Sequence, residues 1–117
     1  MKLDHLNLSV EDVAATQTFL QKYFGLRSVG QGGVNMAFLS DDNHSVITLM
    51  KAKNVRYPDS FHIGFVQPGV EQVNALYQRL KDDGVDVPPP QKLHGSWTFY
   101  VPSPGGFTIE VQCWLGQ

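Results

Sequence analysis

The chain has 117 residues, 42% of them apolar and 17% charged, which is enough for one domain with a real core and too little for two independently stable ones. A formal charge of -2, with no basic stripe to neutralise phosphates, excludes nucleic acid and anionic membrane surfaces as natural partners. Cys113 is the single cysteine, so there is no internal disulfide framework and no Cys-rich zinc site, and any metal must be held by His and carboxylate.

The opening MKLDHLNLSVEDV has no continuous apolar run of the signal-peptide kind, and no later stretch reaches bilayer-spanning length, so a cytoplasmic protein is expected. Residues Lys2 to Val10 alternate as a strand whose one face carries His5 and Asn7. Helical spacing follows in Val13, Thr16, Leu20 and Phe24, with Asp12 as the start signal and Gly25 as the stop. Arg27 to Val29, Val34 to Leu39 and Ser45 to Met50 read as short strands, the last two joined by a polar turn that contains His44, to which no role is given.

The same order then begins again. Residues 53–59 read as a linker between a first module of about 1–52 and a second of about 60–117, within one domain. Phe61 to Gln67 repeats the opening strand, with His62 and Gly64 on one face. Val70, Val73, Leu76, Tyr77 and Leu80 mark a second helix that stops at Gly84. Val85 to Val87 is expected as a short strand, Pro88 to Pro90 as an edge or loop, and Trp97 to Val101 and Phe107 to Trp114 as the last strands. The fold class is therefore α+β, a duplication of one β-α-β-β-β unit in which Phe38 faces Tyr100 and Thr48 faces Glu110 when the halves are superposed.

Two histidines at matching positions of the opening strands, with a Glu on the final strand, are the imidazole and carboxylate donors that borderline divalent metals accept. His5, His62 and Glu110 are accordingly read as ligands of one divalent cation. Buried donors of this kind cost several kcal/mol each, roughly, unless a cation neutralises them. The competing reading makes both histidines ordinary half-exposed strand residues and Glu110 a solvated edge residue. His94, in the loop QKLHGSW, is a candidate substrate ligand or proton donor against an ordinary loop histidine. Phe38, Trp97, Tyr100 and Trp114 either line a pocket or form core.

LDHLNLSVEDV followed by FLQKYFGL, then FHIGF, then FYVPSPGGFTIEV together resemble the vicinal oxygen chelate superfamily, which includes glyoxalases, bleomycin-resistance proteins, extradiol dioxygenases and fosfomycin thiol transferases. The resemblance covers nearly the whole chain. It implies two glyoxalase-like βαβββ modules in a half-open barrel, a cup-shaped mixed sheet, with metal ligands from equivalent strands at His5, Thr48, His62 and Glu110. Thr48 departs from the pattern, since lactoylglutathione lyases carry Glu there, and a Thr cannot take a proton from carbon near neutral pH. Glyoxalase I activity is thus disfavoured. Two His and one carboxylate leave coordination positions open for a substrate that chelates through two oxygens, and do not distinguish Fe(II), Mn(II), Zn(II) and Ni(II).

The resemblance implies a metal-dependent enzyme for a small oxygen-rich substrate, with thiol transfer and a thiol co-substrate as one form and an extradiol-type dioxygenase as another. Tyr100 corresponds to a tyrosine near the metal in both families. A metal-free protein that sequesters a drug-like small molecule is the alternative outside catalysis. A homodimer is expected because open sheets expose edges that a two-fold partner covers, and in several relatives modules pair across chains, so that His5 from a partner subunit is one way to complete the ligand set.

Overall fold

The computed structural model describes residues 1–116, the side chain of Gln31 excepted. Its elements run β1 His5–Val10, α1 Val13–Phe24, β2 Arg27–Gln31, β3 Met36–Ser40, β4 Val46–Lys51, β5 His62–Val66, α2 Val70–Asp82, β6 Gln91–Leu93, β7 Ser96–Pro102 and β8 Thr108–Trp114. The β-α-β-β-β order thus occurs twice, and each copy builds its own open four-stranded mixed sheet, with orders β1-β4-β3-β2 and β5-β8-β7-β6. The α+β class and the two modules stand as expected from the sequence.

The chain divides into two compact units, Met1–Tyr57 with the turn Pro104–Gly106, and Pro58–Ser103 with the residues from Phe107 on. In the first, Asp12 caps α1 by accepting the Ala15 N–H at 2.9 Å. Gly25 ends that helix in the left-handed region, φ 67°, where its N–H closes on the Gln21 carbonyl. Helix α1 packs Val13, Thr16 and Leu20 against β3 and β4, over a core of Leu8, Val10, Ala37, Leu39 and Leu49. Tyr57 belongs to this unit through its hydroxyl, which donates to the Ser9 carbonyl at 2.6 Å.

In the second unit α2 lays Val73, Leu76 and Leu80 on β7 and β8, over Phe99, Val101, Ile109, Val111 and Cys113. Strand parity does the sorting. On β8 the buried residues Ile109, Val111 and Cys113 alternate with the half-buried Thr108, Glu110 and Gln112, so Glu110 stands on the face that the helix leaves open. Trp97 takes the other side of β7, where its indole N–H donates to Asn74 of α2 at 2.8 Å, which removes it from the aromatics expected around a pocket.

Two element boundaries differ from expectation. Val85 to Val87 is not a strand; Val87 is buried from an irregular segment, and pairing resumes only at β6, after Pro88 to Pro90, which have no N–H to give a ladder. Strand β3 starts at Met36, because Val34 lies in the preceding turn and is 87% exposed.

Candidate metal centre

The opening strand of each module is paired on one side only, by the last strand of the same module running parallel to it. In the second unit the register sets His62 opposite Thr108 and Gly64 opposite Glu110, while Tyr100 of β7 faces Glu110 from the other side. Gly64 has no side chain to fill the space between strands, so the His62 imidazole can lean toward the Glu110 carboxylate. The two meet with Nε2 and Oε1 3.5 Å apart.

The other imidazole nitrogen fixes what this contact means. His62 Nδ1 lies 3.0 Å from the Ser60 carbonyl oxygen, which can only accept, so Nδ1 carries a hydrogen, and Nε2 faces Glu110 either as the N–H of a protonated ring or with the lone pair of a neutral one. A lone pair and a carboxylate oxygen at this distance repel unless a cation lies between them. A proton on Nε2 would serve, and so would a metal ion: two donors at ordinary bond lengths of about 2.1 Å from one ion stand roughly 3 to 3.5 Å apart. The donor set therefore fits a divalent metal by chemistry and by spacing.

Glu110 is held from below. Thr98, two residues before Tyr100 and on the same face of β7, donates its hydroxyl to Oε2 at 2.7 Å and is wholly buried, with the Val111 carbonyl oxygen 3.1 Å from the Thr98 hydroxyl oxygen. Sequence reasoning passed over Thr98, although its parity with Tyr100 on a strand beside Glu110 was a readable signal. The Tyr100 ring stands edge-on to His62, centroids 5.6 Å apart. Burial, then the hydrogen bond and charge of Glu110, push the Tyr100 hydroxyl above its ordinary pKa, so near neutrality it is a donor and not a phenolate.

The histidines are less covered than the burial argument required. The side chain of Glu110 is 13% exposed, but that of His62 is 43% and that of His5 56%. The reason is topological: β1 and β5 are edge strands, so their outward residues lack a neighbour on one side. His5 lies in the first unit, where its Nδ1 meets Asp4 Oδ2 at 2.8 Å, an arrangement that again leaves Nε2 to accept a metal. Among the described residues, no group of three or more His, Cys, Asp or Glu side chains comes together to hold a metal.

A profile of the Glyoxalase/Bleomycin resistance protein/Dioxygenase superfamily matches residues 2–111. The chain belongs to this superfamily. Among solved structures it is similar to a possible glyoxalase from Bacillus cereus, 52% identical with a TM-score of 0.91, covering 97% of this chain and 99% of that one. It is similar in fold to the lactoylglutathione lyase of Agrobacterium tumefaciens, 18% identical, TM-score 0.79, over 96% and 92% of the two chains. It is likewise similar to a variant of the fosfomycin resistance protein FosX from Listeria monocytogenes complexed with Mn(II) and 1S,2S-dihydroxypropylphosphonic acid, 23% identical, TM-score 0.81, over 99% and 93%. No curated protein matches the sequence.

Two further positions of interest to a member of this superfamily resolve into local structure. Thr48, in place of the Glu of lactoylglutathione lyases, donates to Asn7 Oδ1 at 2.7 Å and is 7% exposed. His94 and Gly95 are the two central residues of the β6–β7 hairpin, both with positive φ, 51° and 76°, as a type I′ turn demands. At about 3.3 Å per strand residue that turn lies roughly 13 Å along β7 from Tyr100. The structure does not bring His94 to the His62–Glu110 pair of its own unit; it is an exposed hairpin residue. No described helix is long and apolar enough to cross a membrane.

Proposed function

We propose that this protein is a metal-dependent enzyme that binds a small substrate through two oxygens on a divalent cation held by His62, Glu110 and His5, with thiol transfer to a strained or activated carbon as the leading reaction. The observation that carries the reading is the placement of His62 Nε2 3.5 Å from Glu110 Oε1, a spacing that one divalent cation would bridge as well as a proton does. The Mn(II) and the vicinal diol phosphonate in the FosX complex support the choice of metal class and of an oxygen-rich ligand.

When bound, the cation supplies Lewis acidity to the substrate oxygens and stabilises negative charge that develops on them. The chain's own residues do the rest. His62 and Glu110 would hold the cation at the helix-free face of the second module, and Tyr100, whose hydroxyl hydrogen-bonds Glu110, helps to keep that carboxylate in place beside His62. Proton abstraction from carbon is not supported, because Thr48 has committed its hydroxyl hydrogen to Asn7 and is no base. A glyoxalase I reaction is therefore not proposed.

The test is a titration of purified, chelator-treated protein with Mn(II) by calorimetry, followed by mixing of subunits. One site per chain is expected, lost in both His62→Ala and His5→Ala. If the chain forms the expected homodimer with His5 crossing to its partner, a mixture of the two variants regains binding at part of its sites; if His5 acts within its own chain, the mixture stays silent. Wild-type protein that takes up no Mn(II), Fe(II), Zn(II) or Ni(II) yet binds apolar drug-like ligands would turn the assignment to a metal-free sequestering protein.

A further inference from the structure

Glu110 has two oxygens, and the structure treats them differently. Oε2 accepts the Thr98 hydroxyl at 2.7 Å in a place with no solvent access to Thr98, whereas Oε1 is the oxygen that faces His62 Nε2. A hydroxyl has one hydrogen to give. Thr98 Oγ1 has two acceptors in range, the carboxylate at 2.7 Å and the Val111 carbonyl at 3.1 Å, and an ionised carboxylate is the stronger and here the closer of the two. The hydrogen thus sits on Oε2, and a carboxylate that turned away about its last bond would leave Thr98 only the longer contact to the Val111 carbonyl.

We infer that Thr98 is a positioning residue that makes Glu110 a one-oxygen ligand. With Oε2 engaged by Thr98, Oε1 would be the oxygen offered to a cation beside His62, which would leave more of the cation open to substrate. The inference rests on the metal reading of His62 and Glu110 and adds to it the device that sets the number of open positions.

Three proteins decide it: wild type, Thr98→Val, which keeps the shape and removes the donor, and Thr98→Ser, which keeps the donor and removes the methyl. Mn(II) affinity is measured by calorimetry, and the d–d absorption of Co(II)-loaded protein reports the coordination number. Thr98→Val is expected to bind Mn(II) more weakly by roughly 10- to 100-fold, the range usual for the loss of such an outer partner, with an altered Co(II) spectrum. Thr98→Ser is expected to keep both within about threefold of wild type.

If Thr98→Val matches wild type while Glu110→Gln loses metal, the inference is overturned and the metal site stands. If Thr98→Ser falls as far as Thr98→Val, the effect is packing and the inference is overturned as well. If Glu110→Gln and His62→Ala bind Mn(II) as wild type does, the metal reading has failed, and this inference with it. Should Thr98→Val not give a cooperative melt, Thr98→Ala takes its place: weaker Mn(II) binding with an altered Co(II) spectrum supports the inference, and binding and spectrum like wild type overturn it.

Discussion

Laid over each other by strand register, the two modules offer the same four places to different residues. His5, Asn7, Thr48 and Phe38 in the first stand where His62, Gly64, Glu110 and Tyr100 stand in the second. In the first, the cross-strand pair is satisfied internally, Thr48 donating to Asn7 at 2.7 Å. In the second, glycine vacates the opposite place and the carboxylate looks outward to His62. One backbone thus carries two electrostatic states, a closed polar pair and an open anionic one. Chemistry follows the side chain that the register points at and not the fold.

The largest effect should come from the proposed ligands. His62→Ala or Glu110→Gln is expected to lower Mn(II) affinity by more than about 100-fold in calorimetry, beyond what outer partners cost. Thr48→Val, at the equivalent place, should leave metal binding unchanged and cost about 1 kcal/mol in a urea melt through the loss of the Asn7 partner. Equal metal effects at positions 48 and 110 would break the comparison.

The double change Asn7→Gly with Thr48→Glu gives the first module the glycine and carboxylate of the second. It should tighten Mn(II) by about tenfold, 1.4 kcal/mol, as an added carboxylate joins the ligands; no change would mean that position 48 is out of reach of the cation.

The helices differ as well. Helix α1 has the Asp12 cap, whereas α2 begins at Gly69 with no side-chain cap. Asp12→Ala should cost about 1 kcal/mol, and Gly69→Ser should gain a few tenths, since its backbone is extended and only the mobile end of Gln72 would have to move. Urea unfolding midpoints measure both.

The smallest effect concerns protons. Tyr100 holds its proton more tightly folded than unfolded, and so does Tyr57, which burial raises. Neither changes stability below the ordinary tyrosine value of about 10, and above it each lowers stability until pH has passed the folded pKa. Glu110→Gln should bring the Tyr100 titration, followed by ultraviolet absorbance of the phenolate, down toward the ordinary value but not onto it, because burial is the larger cause.

Much of this was readable beforehand for a physical reason. Asp12, Gly25 and the alternation in LDHLNLSV and FTIEVQCW are local signals, and they fixed both modules and the equivalence of Thr48 with Glu110. What failed depended on surroundings. Val85 and Val87 look like a strand until the prolines after them forbid a ladder. The exposure of His5 and His62 required the sheet order, because no residue announces that its strand is an edge. Thr98 required the neighbouring strand, since a threonine has no meaning as a clamp until a carboxylate lies across from it.

The parallel pairing of β5 with β8 also sets a time order. A parallel pair cannot form through a hairpin, so β5 must wait for α2, β6 and β7 before its partner arrives. His62 and Glu110 come from the first and last strands of the module, and meet only when that slow, non-local closure is complete. Half-folded chains contain both residues yet do not bring them together. On the proposed function, only a finished module would compete for a cation.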